Sequence, residues 1–187
     1  MIEQEDVTDR LRRLNRQGAH RFLATVAGRW KHLVFLLASG PSYAIVEDLV
    51  KNSGSNDSPA PGGKESRLLS LPEAHIDDSH DPRYYATRAI DLIRDLALAE
   101  DGRDPRELVA SCGEGAIALA ADLDFVVSAA GHASLGLEEH ELTAQQEALV
   151  GIQDAGLAVA DAASAEVRFR SLLATAHSAI LETTSGL

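Results

Sequence analysis

Apolar positions recur at steps of three and four along most of the chain, a spacing that predicts helices rather than strands. Leu11 and Leu14 place a short amphipathic helix over residues 9–16, with Thr8 or Asp6 as its cap and Gly18 as its break. Phe22, Val26, Trp30, Val34 and Leu37 then carry a second helix. Its stretch "HLVFLLASGP" would suit a buried strand if taken alone, but it continues the helical spacing upstream and reads as helix. Gly40 and Pro41 end it, and "SYAIVEDLVK" opens a third helix with Ser42 as cap.

The pattern then stops. Residues 52–66, "NSGSNDSPAPGGKES", are built from Ser, Gly, Pro, Asn and Asp and read as a flexible loop. Too little chain precedes them for this to be a domain boundary. "RLLSLPEA" is expected to lay its leucines loosely over the body. Tyr85, Ala86, Ala89, Ile90, Ile93, Leu96 and Ala97 give a wide apolar face over 82–100. "DPRE" at 104–107 starts the next helix: Asp104 as cap, Pro105 at the first position, Glu107 reaching back as in a capping box.

That helix runs to about residue 130 through "ASCGEGAIALAA", where Gly113 and Gly115 each cost about 1 kcal/mol against alanine. The row Ser111, Gly115, Leu119, with Cys112 and Ala116 beside it, is therefore expected to face another helix at close range. After the break "GHASLG", Leu142, Gln145, Leu149, Ile152, Gly156, Val159 and Ala163 form a seven-residue repeat, and Thr143 with Gln146 offers a second capping box. Residues 138–183 read as one long helix, or as two with a kink near 161–165. The fold expected is all-α: a single-domain helical bundle over 1–187, of about six to seven helices, with a long C-terminal helix.

Composition sharpens this picture. Aromatic residues make up only 4%, so the core falls to Leu, Ala, Val and Ile. The single cysteine, Cys112, permits no internal disulfide and fits a reducing compartment. The N-terminus has no apolar signal segment, and the longest apolar run, "LVFLLA", is too short to cross a bilayer, so a cytoplasmic location and no membrane partner are expected. The net charge of −12 is unevenly laid out. Seven cations and no acid lie between Arg10 and Lys31; ten cations and twenty-five acids follow. The basic segment 10–31 is expected to pair with acidic helix faces, of its own fold or of a second subunit.

Candidate chemistry is sparse. "HIDDSHD" at 75–81 holds two histidines and three aspartates, the right ligand types for Zn²⁺ or a similar ion. The metal candidates are His75, Asp77, His80 and Asp81. Their spacing matches no metal motif, and "HELTA" at 140 lacks the second histidine of H-E-x-x-H. The same stretch reads as the approach to a helix, with Asp81 as cap before Pro82. Cys112 on an apolar face reads as a small core residue; a nucleophilic role would need His20, His32 or His177 brought to it by folding. "SCGEG" lacks the Lys and Ser/Thr of a phosphate loop. His132 and His140 read as exposed. Asp91 with Asp95, and Asp122 with Asp124, are the remaining carboxylate pairs, the first compensated by Arg88 and Arg94. No set reads as catalytic, and no cofactor is expected.

"RWKHLVF" followed by "GPSYAIVEDLV" resembles the start of the YjaG-like bacterial proteins, an all-helical family of uncharacterised function. The matching positions are Trp30, Phe35, Pro41, Tyr43 and Ala44; "YYATRAIDLIRDLAL" resembles that family's Tyr-led helix. The likeness in layout covers residues 10–183, and the chain departs from it by a shorter link before Pro41 and by the loop at 52–66. The resemblance implies a helical fold and a homodimer, and brings no catalytic residues. Three functions are carried forward. The first is a non-enzymatic helical bundle working through protein–protein contacts as a homodimer or with another protein. The second is a metal-assisted hydrolase built on residues 75–81. The third is a regulator binding nucleic acid through residues 10–31, which the acidic body disfavours.

Overall fold

The computed structural model describes residues 4–54, 63–153 and 160–185. Among them are eight α-helices and no strand: α1 (Gln4–Arg12), α2 (Arg16–Leu37), α3 (Gly40–Lys51), α4 (Gly63–Leu69), α5 (Tyr84–Glu100), α6 (Pro105–Ala129), α7 (Leu137–Gln153) and α8 (Ala160–Ser185). One 3₁₀ turn, Pro72–His75, stands before α5. The all-α bundle and its long last helix are as expected, with one helix more. The addition is α4, which takes up the last four positions of the expected loop 52–66; residues 55–62 of that loop lie outside the described residues.

The axis of the bundle is α2. Its 22 residues span about 33 Å, and it packs on α3, α5, α6, α7 and α8. Phe22, Leu23, Val26, Trp30, Leu33 and Val34 are wholly buried, each worth roughly 1.5–3 kcal/mol of transfer free energy. Asn15, not Gly18, marks its start: the Asn15 side chain accepts the Gly18 amide at 2.8 Å. Gly18 lies inside the helix, where a Cβ would meet Ile152 Cγ2 of α7 at 3.0 Å. It permits close approach rather than breaking the helix. The first helix also begins earlier than its spacing predicts; Thr8 sits within α1, and its hydroxyl donates to Glu114 at 3.3 Å.

Other expected caps are displaced as well. Ser39 is the cap of α3, with Pro41 in its first turn. Ser42 is buried, and its hydroxyl donates to Glu73 Oε2 at 2.6 Å. Leu68 and Leu71 are buried against the core, so the leucines of "RLLSLPEA" pack tightly, and of them only Leu69 is exposed. Asp104 does cap α6, accepting the Arg106 amide at 3.0 Å. The reciprocal half of that capping box is missing, because Glu107 pairs instead with Arg103 at 3.6 Å. Thr143 is mid-helix, and its hydroxyl bonds back to the Glu139 carbonyl at 2.9 Å.

The C-terminal segment is two helices. His140 of α7 stacks on Phe169 of α8 with ring centroids 5.6 Å apart; one straight helix would hold them roughly 43 Å apart. The division falls before Ala160, not within 161–165. The turn between α6 and α7 opens at Gly131 and closes at Gly136, with φ of 83° and 66°, a region that favours glycine. Of the seven-residue repeat, Gln145 and Leu149 are buried in the bundle, while Gly156, Val159 and Ala163 are outside the described side chains.

Candidate functional site

The residues singled out from sequence do not converge. His75 Nε2 meets the Leu69 carbonyl at 2.7 Å, His80 Nδ1 meets Asp78 Oδ1 at 3.1 Å, and Asp81 accepts the Arg83 amide at 2.9 Å and its guanidinium at 2.6 Å. Asp77 is exposed. Among the described residues no three His, Cys, Asp or Glu side chains are grouped to hold a metal ion. Hydrogen bonds from His80 hold the Asp78 carboxyl below its ordinary value, and those from Arg83 do the same for Asp81. Asp81 acts as a cap one turn early: it closes the turn through Pro82, and α5 begins only at Tyr84.

Cys112 is fully buried, and burial pushes its thiol well above the usual range. The polar groups acting on it are the Leu92 carbonyl at 3.8 Å, Asp95, Glu141 and Arg29, with no histidine among them. Arg88 and Arg94 form their ion pairs with Asp122 and Glu65, while their charges still act on Asp91, and that of Arg94 on Asp95. Asp91 is raised by burial, and Asp95 is raised by burial to about 6. Asp124 has a separate task, accepting the amides of Leu135 and Glu138 at 3.1 Å each and so capping α7. His140, expected exposed, is partly buried against Phe169.

The small-residue face of α6 is used inside one chain. A Cβ on Gly113 would meet Leu11 Cδ1 at 2.7 Å and Gln145 Oε1 at 3.0 Å, and one on Gly115 would meet Leu92 Cδ2 at 3.0 Å. Ser111, expected in the buried row, is exposed, so the packed face is centred on Cys112, Gly113 and Ala116 instead. Opposite Gly113 lies a polar core. Arg29 donates to both carboxylate oxygens of Glu141, at 3.1 and 2.6 Å, and Gln145 Nε2 donates to Glu141 at 3.0 Å and to the Gly113 carbonyl at 2.9 Å.

One exposed apolar surface is the corner where α2 turns into α3, beside the first turns of α8; Phe125 of α6, 72% exposed, lies apart from it in sequence. Phe35 stands 58% exposed, yet its ring lies edge-on to Tyr43 at a centroid distance of 4.9 Å. Leu36, Leu37 and Ala38 are partly exposed around it, and Pro41 and Ala44 are exposed on the α3 side. On α8, Val167 is 67% exposed. A polar cluster adjoins them. His32 Nε2 lies 3.2 Å from Glu166 Oε1 and 2.9 Å from Arg170 Nε, and Arg170 also pairs with Glu166. Beneath it Trp30 meets Phe169 edge-on at 5.2 Å. Burial lowers His32 from its ordinary value of 6.5; burial also raises Tyr43, aided by Glu47. Sequence reading missed this site, whose one local signal is an aromatic at Phe35 out of step with the buried positions of α2.

No family model matches the chain, and neither a curated protein nor a solved structure matches it. Among the described residues no helix is long and apolar enough to cross a membrane.

Proposed function

We propose that this chain is a cytoplasmic protein-interaction bundle that pairs as a homodimer through the α2–α3 corner and the adjoining face of α8. The observation that carries the reading is Phe35, a large aromatic turned to solvent yet held in place by Tyr43. A ring already ordered in the free protein loses little conformational freedom on binding, which is why aromatic anchors dominate interface energetics. Val167 and the partly exposed end of α2 widen the apolar surface; Lys31, Glu47, Glu166 and Arg170 supply a polar rim of both signs, the usual anatomy of an interface. A two-fold pairing would set that mixed rim against itself, where opposite charges can meet. The resemblance to the YjaG-like proteins points the same way.

The nucleic-acid reading draws no comparable support. Arg29 of the basic segment is buried in its pair with Glu141, and Arg12 pairs with Asp9 at 3.4 Å. Sedimentation velocity at micromolar concentration tests the proposal. A dimer that becomes a monomer on Phe35→Asp, with helical content unchanged, is expected. A wild-type chain that sediments only as a monomer would remove the homodimer, and a dimer indifferent to Phe35→Asp would remove this surface.

A further inference from the structure

We propose that His32 is a protonation switch at the seat of α8: on taking up a proton it exchanges Arg170 for Glu166 as its partner, and the exchange resets how the first turns of α8 rest on α2. Both partners address the same ring nitrogen. Arg170 Nε, 2.9 Å from His32 Nε2, is a donor only. That contact needs a lone pair on Nε2, hence a neutral ring with its proton on Nδ1. Glu166 Oε1, 3.2 Å from the same atom, is an acceptor only and needs a proton there. One nitrogen cannot satisfy both at once. The shorter contact, to Arg170, belongs to the neutral ring.

The groups around His32 set the consequence of protonation. From α8 it faces Glu166 and Arg170; on its own helix Lys31 adds positive charge. From α3, Tyr43 and Glu47 bear on the same corner, with Arg170 within electrostatic reach of Tyr43. An imidazolium would leave Glu166 shared between two cations and drive the Arg170 guanidinium off the ring. Burial opposes the charged ring and places the exchange below 6.5. The movement would be felt one step inward. Phe169 lies between Glu166 and Arg170 in sequence and packs on both Trp30 and His140. This inference is independent of whether the corner pairs with a second copy.

Trp30 is the only tryptophan in the chain, so its emission reports on the seat of Phe169. In the 187-residue chain the emission is expected to titrate with a midpoint below 6.5, and nitrogen NMR of the histidine rings at pH 8 is expected to show His32 as the Nδ1–H tautomer. Arg170→Gln removes the positive charge that opposes protonation, and moves the midpoint up; Glu166→Gln removes the negative charge that favours the protonated ring, and moves it down. His32→Gln keeps an acceptor for Arg170, cannot take up the proton, and abolishes the transition. An Nε2–H tautomer at pH 8 would overturn the proposal, and this readout needs no variant to fold. A transition that survives His32→Gln, and so belongs to another group such as His140, would also overturn it. So would charge variants that leave the midpoint in place or move it in the same direction.

Discussion

Arg29 belongs to the run of seven cations that makes the N-terminal segment look like a nucleic-acid arm, yet it is the one the fold takes inside. Its bidentate pair with Glu141, itself wholly buried, joins α2 to α7, and Gln145 completes the cluster. Such a pair has paid its desolvation twice, so removing one member leaves the other charge buried and alone. Glu141→Ala is expected to lose about 3–5 kcal/mol, whereas the double change Arg29→Met with Glu141→Leu recovers most of that loss. Urea unfolding of the three proteins checks it, and equal losses in the single and double variants would refute it. Asp95 makes a second prediction at this scale. Burial raises its carboxyl to about 6, against an unfolded value near 3.8. The folded chain therefore binds more protons between those values, and Asp95 subtracts stability at neutral pH that returns as pH falls through 6. Asp95→Asn should stabilise the protein at pH 7 by about 1–2 kcal/mol, discounted for its partial exposure, and the gain should vanish near pH 4. His32 has the opposite sign. Its lowered value means stability is lost as pH falls below 6.5. A melting series from pH 8 to 4 on Asp95→Asn and His32→Gln separates the two.

Among the elements, α6 was the easiest to read and the hardest to place. Asp104 and Pro105 announce its start locally, and its small residues announce a close contact. Spacing alone did not say which glycine is pressed hardest. The structure answers with Gly113, whose missing Cβ leaves room for Leu11 of α1 and Gln145 of α7, while Gly115 faces only Leu92 of α5. Alanine at either site gains about 1 kcal/mol of helix propensity. At Gly115 that gain is expected to offset a few tenths of an ångström of adjustment by Leu92. At Gly113 two neighbours in a buried polar core must move, so Gly113→Ala should melt below both wild type and Gly115→Ala. Leucine at Gly115 should overpack the contact by about 1–3 kcal/mol. Thermal melts of the three variants decide the order, and a Gly113→Ala protein at least as stable as Gly115→Ala would reverse it. The start of α4 was not legible for a related reason, and the start of α7, which the spacing places within one residue, is held in the same way. Their first amides are held by carboxylates from elsewhere: Asp101 takes those of Lys64 and Glu65, and Asp124 takes those of Leu135 and Glu138. A cap supplied 37 residues downstream leaves no mark in the local sequence. The same blindness moved the start of α3 from Ser42 to Ser39, because the partner of Ser42 is the distant Glu73.

Over the whole molecule, one carboxylate gathers more of the chain than any sequence pattern suggested. Glu100, at the end of α5, receives the Gly54 amide at 2.9 Å, the Lys64 ammonium at 3.1 Å and the ring of His20 at 2.5 Å. It thereby holds α2, the turn after α3 and the start of α4 at one point, with both flanks of the segment 55–62 fixed to it. Lys64 is 4% exposed, and Glu100 is the partner of its ammonium. Burial would raise the Glu100 carboxyl, but the bonds from Gly54, Lys64 and His20 outweigh it and hold it below its ordinary value. The unfolded chain then binds the proton first as pH falls, and the stabilisation, full above about 4.5, is lost as pH drops through the folded value. Glu100→Ala should cost about 3–5 kcal/mol at pH 7, the range for stranding a buried partner. Glu100→Ala with Lys64→Met should regain much of it, because no buried charge is then left alone. Hydrogen exchange gives the sharper signature: the Gly54 amide should lose protection in both variants, while the Lys64 and Glu65 amides, which rest on Asp101, should keep theirs in the double variant. Full protection of Gly54 in Glu100→Ala, or no rescue by Lys64→Met, would show that the carboxylate does not join these parts of the bundle.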